Sequence, residues 1–310
     1  MSLTIVMYHY VRDLEGSRYP GIKGRRTREF IAQLDHIASR YAVVGVEQIM
    51  AALDGHSDLP PNAAWLTFDD GYIDHYTTVF PLLHDRGWQG SFFPPARTIL
   101  DRELLDVNKI HFILAAQPDP VPLLDTIRDF VAARHGRADI RPFAHYWESI
   151  DKADRHDTPE IVFIKRMLQH ALPADLRAQL ANELFARHVS VDPIAFANEL
   201  YMSADQLRLM MRCGMHVGSH GNRHEWLDRL SPDDQARDID GAMRFLGDLG
   251  VSLDEWVMCY PYGGYNAETL RILTSRGCRI GLTTRVAVAD LRSDRPLELP
   301  RMDTNDLPIA

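Results

Sequence analysis

Two short segments hold most of the residues able to do hydrolytic chemistry. In Ala64-Trp65-Leu66-Thr67-Phe68-Asp69-Asp70-Gly71-Tyr72 an apolar run feeds straight into two carboxylates and a glycine. In Met215-His216-Val217-Gly218-Ser219-His220-Gly221-Asn222-Arg223-His224 a second apolar run ends in a polar loop that carries two histidines four positions apart. That spacing brings both rings to one ion if the loop coils helically. Each segment alone has a plainer reading: Asp-Asp-Gly is a common polar turn, and among 14 histidines some close pairs arise by chance. Together they supply one carboxylate and two imidazoles, the three protein ligands of a hydrolytic zinc site with a position left for water. The other carboxylate is then available to take a proton.

Such residues need a frame, and the chain has the rhythm of repeated β-α units. Short apolar runs at Leu3 to Tyr8, Tyr41 to Val44, Ala64 to Phe68, Gln89 to Phe93, Met215 to Ser219, Trp256 to Tyr260 and Arg279 to Thr283 read as strands. Amphipathic patterns at Thr27 to Ser39, Val46 to Leu53, Thr77 to Arg86, Ser203 to Arg212, Pro232 to Leu249 and Ala267 to Arg276 read as helices between them. Seven strands alternating with helices predict an α/β fold, a distorted seven-stranded (β/α) barrel, in which catalytic groups gather at strand ends. From about Asp101 to Leu200 the rhythm breaks. Helical patterns such as Val121 to Arg134 and Ala174 to His188, separated by prolines, predict a helical insertion over 101–200 within a single domain covering 1–310.

Composition excludes some partners. The 310 residues are 45% hydrophobic and 25% charged, an ordinary globular balance, and the net charge of -9 argues against nucleic acid as a partner. No apolar run approaches the roughly 20 residues of a membrane span. The start, Met-Ser-Leu-Thr-Ile-Val-Met-Tyr-His, has no basic leader and no apolar h-region, so a cytoplasmic location is expected. Cys213, Cys259 and Cys278 are scattered and odd in number, which suits reduced thiols rather than a disulfide framework.

With these residues in view, the sequence resembles the polysaccharide deacetylases that share the NodB homology domain, carbohydrate esterase family 4. The matching pieces are Thr67-Phe68-Asp69-Asp70-Gly71, the His220 and His224 pair preceded by Gly218-Ser219, and Tyr260-Pro261-Tyr262-Gly263-Gly264. They occur in the family's order. The resemblance implies a hydrolase that removes an N-acetyl group from an amino sugar, with Asp69 as general base. It further implies that Asp70, His220 and His224 bind one divalent metal, and that the backbone N–H of Tyr262 steadies the oxyanion. Two histidines and a carboxylate accept zinc, cobalt, nickel or iron, with zinc the default.

Two parts of the family pattern are missing. Cys259 stands two positions before Pro261, where the family has an arginine that orients the base; Arg301, in Leu299-Pro300-Arg301-Met302-Asp303, is the candidate replacement, with an exposed surface arginine as the competing reading. No histidine follows His224 to protonate the leaving amine. His9 is the candidate acid, because circularly permuted branches of the family begin with a strand ending in Met-Tyr-His; the competing reading is a histidine that caps the first strand. Tyr72 and Trp226 are expected to grip the sugar, and Phe92 and Phe93 to pack the core. A precursor or carrier-linked saccharide of bacterial surface polysaccharide synthesis is the expected substrate. The rivals are hydrolysis of a small cyclic amide at the same centre and a carbohydrate-binding homologue without turnover.

Overall fold

The computed structural model of the chain describes residues 1–134, 136–137, 139–153 and 157–308. These form two compact units, one of Met1–Asp13, Gly24–Glu103 and Ala197–Ala310 and the other of Leu14–Lys23 and Leu104–Phe196.

The first unit is a parallel barrel. Its strands are β1 (Ser2–Tyr8), β2 (Ala42–Val43), β3 (Ala63–Asp69), β4 (Gly90–Phe93), β5 (His216–Val217), β6 (Trp256–Cys259), β7 (Cys278–Leu282), β8 (Ala289–Asp290) and β9 (Met302–Asp303). β1 pairs in parallel with β3, β3 with β4 and β4 with β5. The ring continues through a parallel bridge from Ser219 to Met258, through β6 with β7, and through a bridge from Leu282 to Leu299. It closes where Met302 and Asp303 of β9 lie beside Val6 and Met7 of β1. Helices cover the outside, which leaves β1, β3, β4 and β6 buried on both faces, apart from Ser2 at the outer end of β1; this is why these strands are written as continuous apolar runs.

The ring has seven members, as the strand count predicts, but one member differs. Tyr41 to Val44 contributes only the two-residue β2, paired with Ala63 and Ala64 at the foot of β3. The seventh place belongs to the Leu299–Asp303 segment. Its Pro300 lacks an N–H and reads as a strand breaker. Here it sits between residues that make the ladder bonds: Leu299 N–H donates to Gly281 O at 2.9 Å and Arg301 N–H to Arg285 O at 3.0 Å.

Strand alternation explains which side chains share the interior. Ile5, Trp65, Phe93, Val257, Cys259, Ile280, Leu282 and Leu299 belong to one buried cluster, and the Trp65 indole N–H is satisfied by Ser91 Oγ at 2.7 Å. Two residues further along the same strands lie Asp69 after Thr67 and Trp65, and Arg301 after Leu299. The barrel is therefore apolar below and polar at the carboxyl ends of its strands.

The helix expected over Thr77 to Arg86 starts earlier, as a π turn at His75–Val79 that continues into Phe80–His84. Pro81 cannot donate to the preceding turn, and the wider turn, closed by Phe80 N–H on His75 O, accommodates it. The second unit is helical, with Asp106–Ala116, Val121–Ala132, Phe143–Ser149, Pro159–Arg166 and Ala174–His188 around Phe112, Leu123, Phe163, Leu180 and Leu184. Among the described residues no helix is long and apolar enough to cross a membrane.

Candidate metal and catalytic site

Three turns at the carboxyl ends of strands build the site, and each uses backbone in the left-handed region. Asp70 (φ 73°) and Gly71 (φ 71°) follow β3, Gly221 (φ 75°) and His224 (φ 60°) follow β5, and Tyr262 (φ 57°) and Gly263 (φ 71°) follow β6. Only five non-glycine residues are left-handed among those described, and three of them, Asp70, His224 and Tyr262, lie here. Non-glycine residues adopt this region at a cost, so its concentration at one place marks turns whose shape is over-determined by their surroundings.

The histidine loop is not the helical coil that the spacing suggests. The carboxylate of Asp238, on the helix Pro232–Leu249, accepts the backbone N–H groups of Asn222 at 2.9 Å and Arg223 at 3.0 Å and so fixes the loop. Gly221 is required beside it, because a Cβ there would lie 2.9 Å from Asp238 Oδ2. Asp238 escaped the sequence reading, although an acid on the buried face of an amphipathic helix, in step with Gln235 and Ala242, is a legible signal.

The result is a buried cluster. Asp70 Oδ1 lies 3.4 Å from His220 Nε2 and 3.3 Å from His224 Nε2, and the three ligating atoms fall within 4.8 Å of one another. The other ring nitrogen of His220, Nδ1, lies 2.8 Å from the Cys259 carbonyl, a contact that places a proton on Nδ1 and turns Nε2 toward Asp70. Asp70 Oδ1 is a buried carboxylate oxygen without a hydrogen-bond partner. An orphaned anionic oxygen between two imidazole nitrogens fits a divalent cation, which would supply the partner that oxygen lacks.

Asp69 stands beside this cluster in a different environment. Arg301 Nη1 donates to its Oδ1 and Nη2 to its Oδ2, both at 2.9 Å. The Cys259 thiol donates to Oδ2 at 3.4 Å, and His9 Nε2 lies 3.9 Å from the same oxygen. Arg301 is only 1% exposed, and its Nε donates to Thr283 O at 2.9 Å, so it is not the surface arginine that the sequence left open. Burial alone would push the Asp69 carboxyl up; the Arg301 charge, with His220 and His9 adding to it, brings it down to about 2 and keeps Asp69 ionised.

Of the remaining sequence candidates, Trp226 and Tyr262 stack face to face, with centroids 4.5 Å apart and planes within 3°. Arg229 lies over the Trp226 ring and His224 meets the Tyr262 ring edge-on. Both aromatic side chains keep partial exposure. Tyr72 is a correction: it is 0% exposed and its hydroxyl donates to Asp70 Oδ2, so it cannot face a sugar. The left-handed turn at Asp70-Gly71 explains this, because it carries Tyr72 back into the packed wall. Phe92 and Phe93 are buried core residues. The structure thus brings His9, Asp69, Asp70, His220, His224, Tyr262 and Arg301 together and leaves Tyr72 behind them.

Comparison with known proteins agrees with this geometry. Residues 181–281 match the polysaccharide deacetylase family model. The poly-β-1,6-N-acetyl-D-glucosamine N-deacetylase of Escherichia coli K12 is 36% identical over 90 residues, 29% of this chain and 13% of that protein. A putative polysaccharide deacetylase of Bacillus subtilis, YxkH, is 26% identical over 89 residues, 29% of this chain and 32% of that protein. The matched region therefore spans under a third of the length of these curated relatives. Among solved structures, the Streptococcus pyogenes deacetylase PplD in complex with acetate superposes with TM-score 0.60 at 18% identity, covering 99% of this chain and 93% of that one. IcaB from Ammonifex degensii gives 0.54 at 20% identity, with 98% and 91% covered. The fold is that of these solved structures, a (β/α) barrel.

Proposed function

We propose that this relative of the polysaccharide deacetylases is a divalent-metal-dependent hydrolase that removes the acetyl group from an N-acetylated amino sugar. The observation that carries the reading is the orphaned Asp70 Oδ1 between His220 and His224, set next to an arginine-clamped carboxylate, Asp69. Asp70, His220 and His224 would hold the ion, zinc by default. Bound there, it supplies Lewis acidity toward the acetyl oxygen and makes water acidic enough to attack near neutral pH.

The chain's own groups divide the remaining work. Asp69, held ionised and in one orientation by Arg301, takes a proton from the attacking water as its oxygen adds to the acetyl carbon. The Tyr262 backbone N–H, aimed by its left-handed turn, donates to the oxygen on which negative charge develops. His9, 41% exposed and near Asp69, hands a proton to the amine nitrogen as the C–N bond breaks, which leaves acetate and a free amino sugar. The Trp226 and Tyr262 pair offers an aromatic surface for the sugar's apolar face.

The E. coli relative is named for poly-β-1,6-N-acetyl-D-glucosamine, which makes N-acetylglucosamine the first sugar to test. Acetate release should be measured from β-1,6- and β-1,4-linked N-acetylglucosamine oligomers, a nucleotide-linked N-acetylglucosamine and small cyclic amides. Release from a saccharide supports the reading, and a carrier-linked or nucleotide-linked preference supports a role in precursor synthesis inside the cell. Ring opening of a cyclic amide with no acetate from any saccharide would overturn it.

A further inference from the structure

The two carboxylate oxygens of Asp70 have different surroundings. Oδ1 faces His220 and His224 and lacks a hydrogen-bond partner, while Oδ2 accepts the Tyr72 hydroxyl at 2.5 Å. Tyr72 has little freedom to move. Its ring stacks with Tyr10, centroids 4.0 Å apart and planes 18° apart, and with Tyr201 at 6.2 Å and 11°. Its backbone bridges to Tyr201, and the Met202 N–H donates to Gly71 O at 3.0 Å. A phenol wedged in a tyrosine stack is thus aimed at one oxygen of one ligand.

We propose that Tyr72 is a positioning residue for the metal: by occupying Oδ2 it makes Asp70 offer a single oxygen, Oδ1, to the ion. This rests on the metal-hydrolase reading above and deepens it. A carboxylate whose second oxygen is free can turn and give both oxygens to a cation, which fills a coordination position that the reaction needs for water and the acetyl oxygen. A hydrogen bond to a ligating carboxylate also fixes its rotation, and loss of such a partner typically weakens metal binding about 10- to 100-fold. The residue type follows from the geometry. Phenylalanine keeps the stack and lacks the donor; tyrosine provides both.

The test is metal affinity, measured by competition of metal-free protein with a chromophoric chelator for Zn2+, together with the visible absorption of the Co2+-substituted protein. Tyr72→Phe removes only the hydroxyl; Tyr10→Phe and Tyr201→Phe remove hydroxyls from the same stack without touching Asp70 Oδ2. Melting of the metal-free proteins reports whether each variant is folded. The expected result is a roughly 10- to 100-fold weaker Zn2+ affinity and altered cobalt bands for Tyr72→Phe alone. Wild-type affinity and an unchanged cobalt spectrum in Tyr72→Phe would overturn the inference and leave the metal-hydrolase reading standing. An equal loss in all three variants would overturn it as well, because the stack rather than the hydroxyl would then be responsible. A wild-type chain that binds neither Zn2+ nor Co2+ would overturn both.

Discussion

Arg301 and Asp69, 232 positions apart in the chain, meet in the barrel interior through two parallel hydrogen bonds of 2.9 Å. The guanidinium that the family resemblance places before the Pro-Tyr motif is supplied here from the last barrel strand. Cys259, at the expected arginine's position, puts its thiol on the same carboxylate. The Asp69 carboxylate is thus held from two strands at once. A fork-to-fork arginine and carboxylate pair fixes orientation as well as charge.

Removal of the guanidinium leaves an unpaired buried carboxylate. Arg301→Met is expected to lose about 3–5 kcal/mol of stability, the usual consequence of breaking a buried pair on one side. Arg301→Lys keeps the charge and loses the fork, so it should fold with a smaller loss while acetate release falls by about 100-fold or more. Chemical denaturation and acetate assays on both variants measure this. A Lys variant with wild-type turnover would remove Arg301 from the account.

His9 should separate turnover from metal content. His9→Gln is expected to bind one metal ion per chain as the wild type does, and to lose roughly 100- to 10,000-fold in kcat, the range for a general acid. Metal analysis of the purified variant beside its kinetics checks both halves. Near-normal kcat would reduce His9 to a cap on β1.

Much of this site is legible in the sequence alone. Asp69, Asp70, His220 and His224 are legible because they follow two apolar strand runs, and Pro232–Leu249 is bounded to the residue because Ser231 and Pro232 open it and Gly250 ends it in the left-handed conformation. The last barrel strand was not legible as a strand. Pro300 hides it, and its pairing partners, β7 and β1, are known only once the ring closes. Tyr72 was read as a sugar contact for a related reason: the left-handed pair Asp70-Gly71 reverses the direction of the following side chain, and alternation cannot be carried through such a turn.

The buried His75 makes stability depend on pH. Burial lowers its pKa from 6.5 to about 4, and its Nε2 lies 2.9 Å from the His9 carbonyl. A depressed histidine is neutral in the folded protein while the unfolded chain takes up a proton. Its stabilising contribution is therefore complete above about pH 6.5 and is lost as pH falls toward 4, with a slope of at most about 1.4 kcal/mol per pH unit. Urea denaturation of metal-free protein between pH 4.5 and 7.5 should show a shallower slope for His75→Gln than for wild type. Equal slopes would contradict the assignment.

Gly263 tests the turn that aims Tyr262. A Cβ at this position would collide with Thr284 Oγ1, and its φ of 71° disfavours any side chain. Gly263→Ala is expected to cost roughly 1–3 kcal/mol and to reduce kcat more than it raises KM, because in the proposed role the Tyr262 N–H acts only as charge develops. Thermal melting and steady-state kinetics provide the two readings. An unchanged melting temperature would show that the turn relaxes freely.

The central claim is metal-dependent amide hydrolysis with Asp69 as base and Asp70, His220 and His224 as ligands. It is tested most directly by acetate release from an N-acetylglucosamine oligomer by wild type and Asp69→Asn, each assayed as purified, after chelation and after Zn2+ is restored. The account predicts wild-type activity that vanishes on chelation and returns with zinc, and an Asp69→Asn protein that binds zinc equally well yet releases acetate at least about 100-fold more slowly. Wild-type activity that survives complete metal removal, or an Asp69→Asn protein with normal turnover, would contradict it.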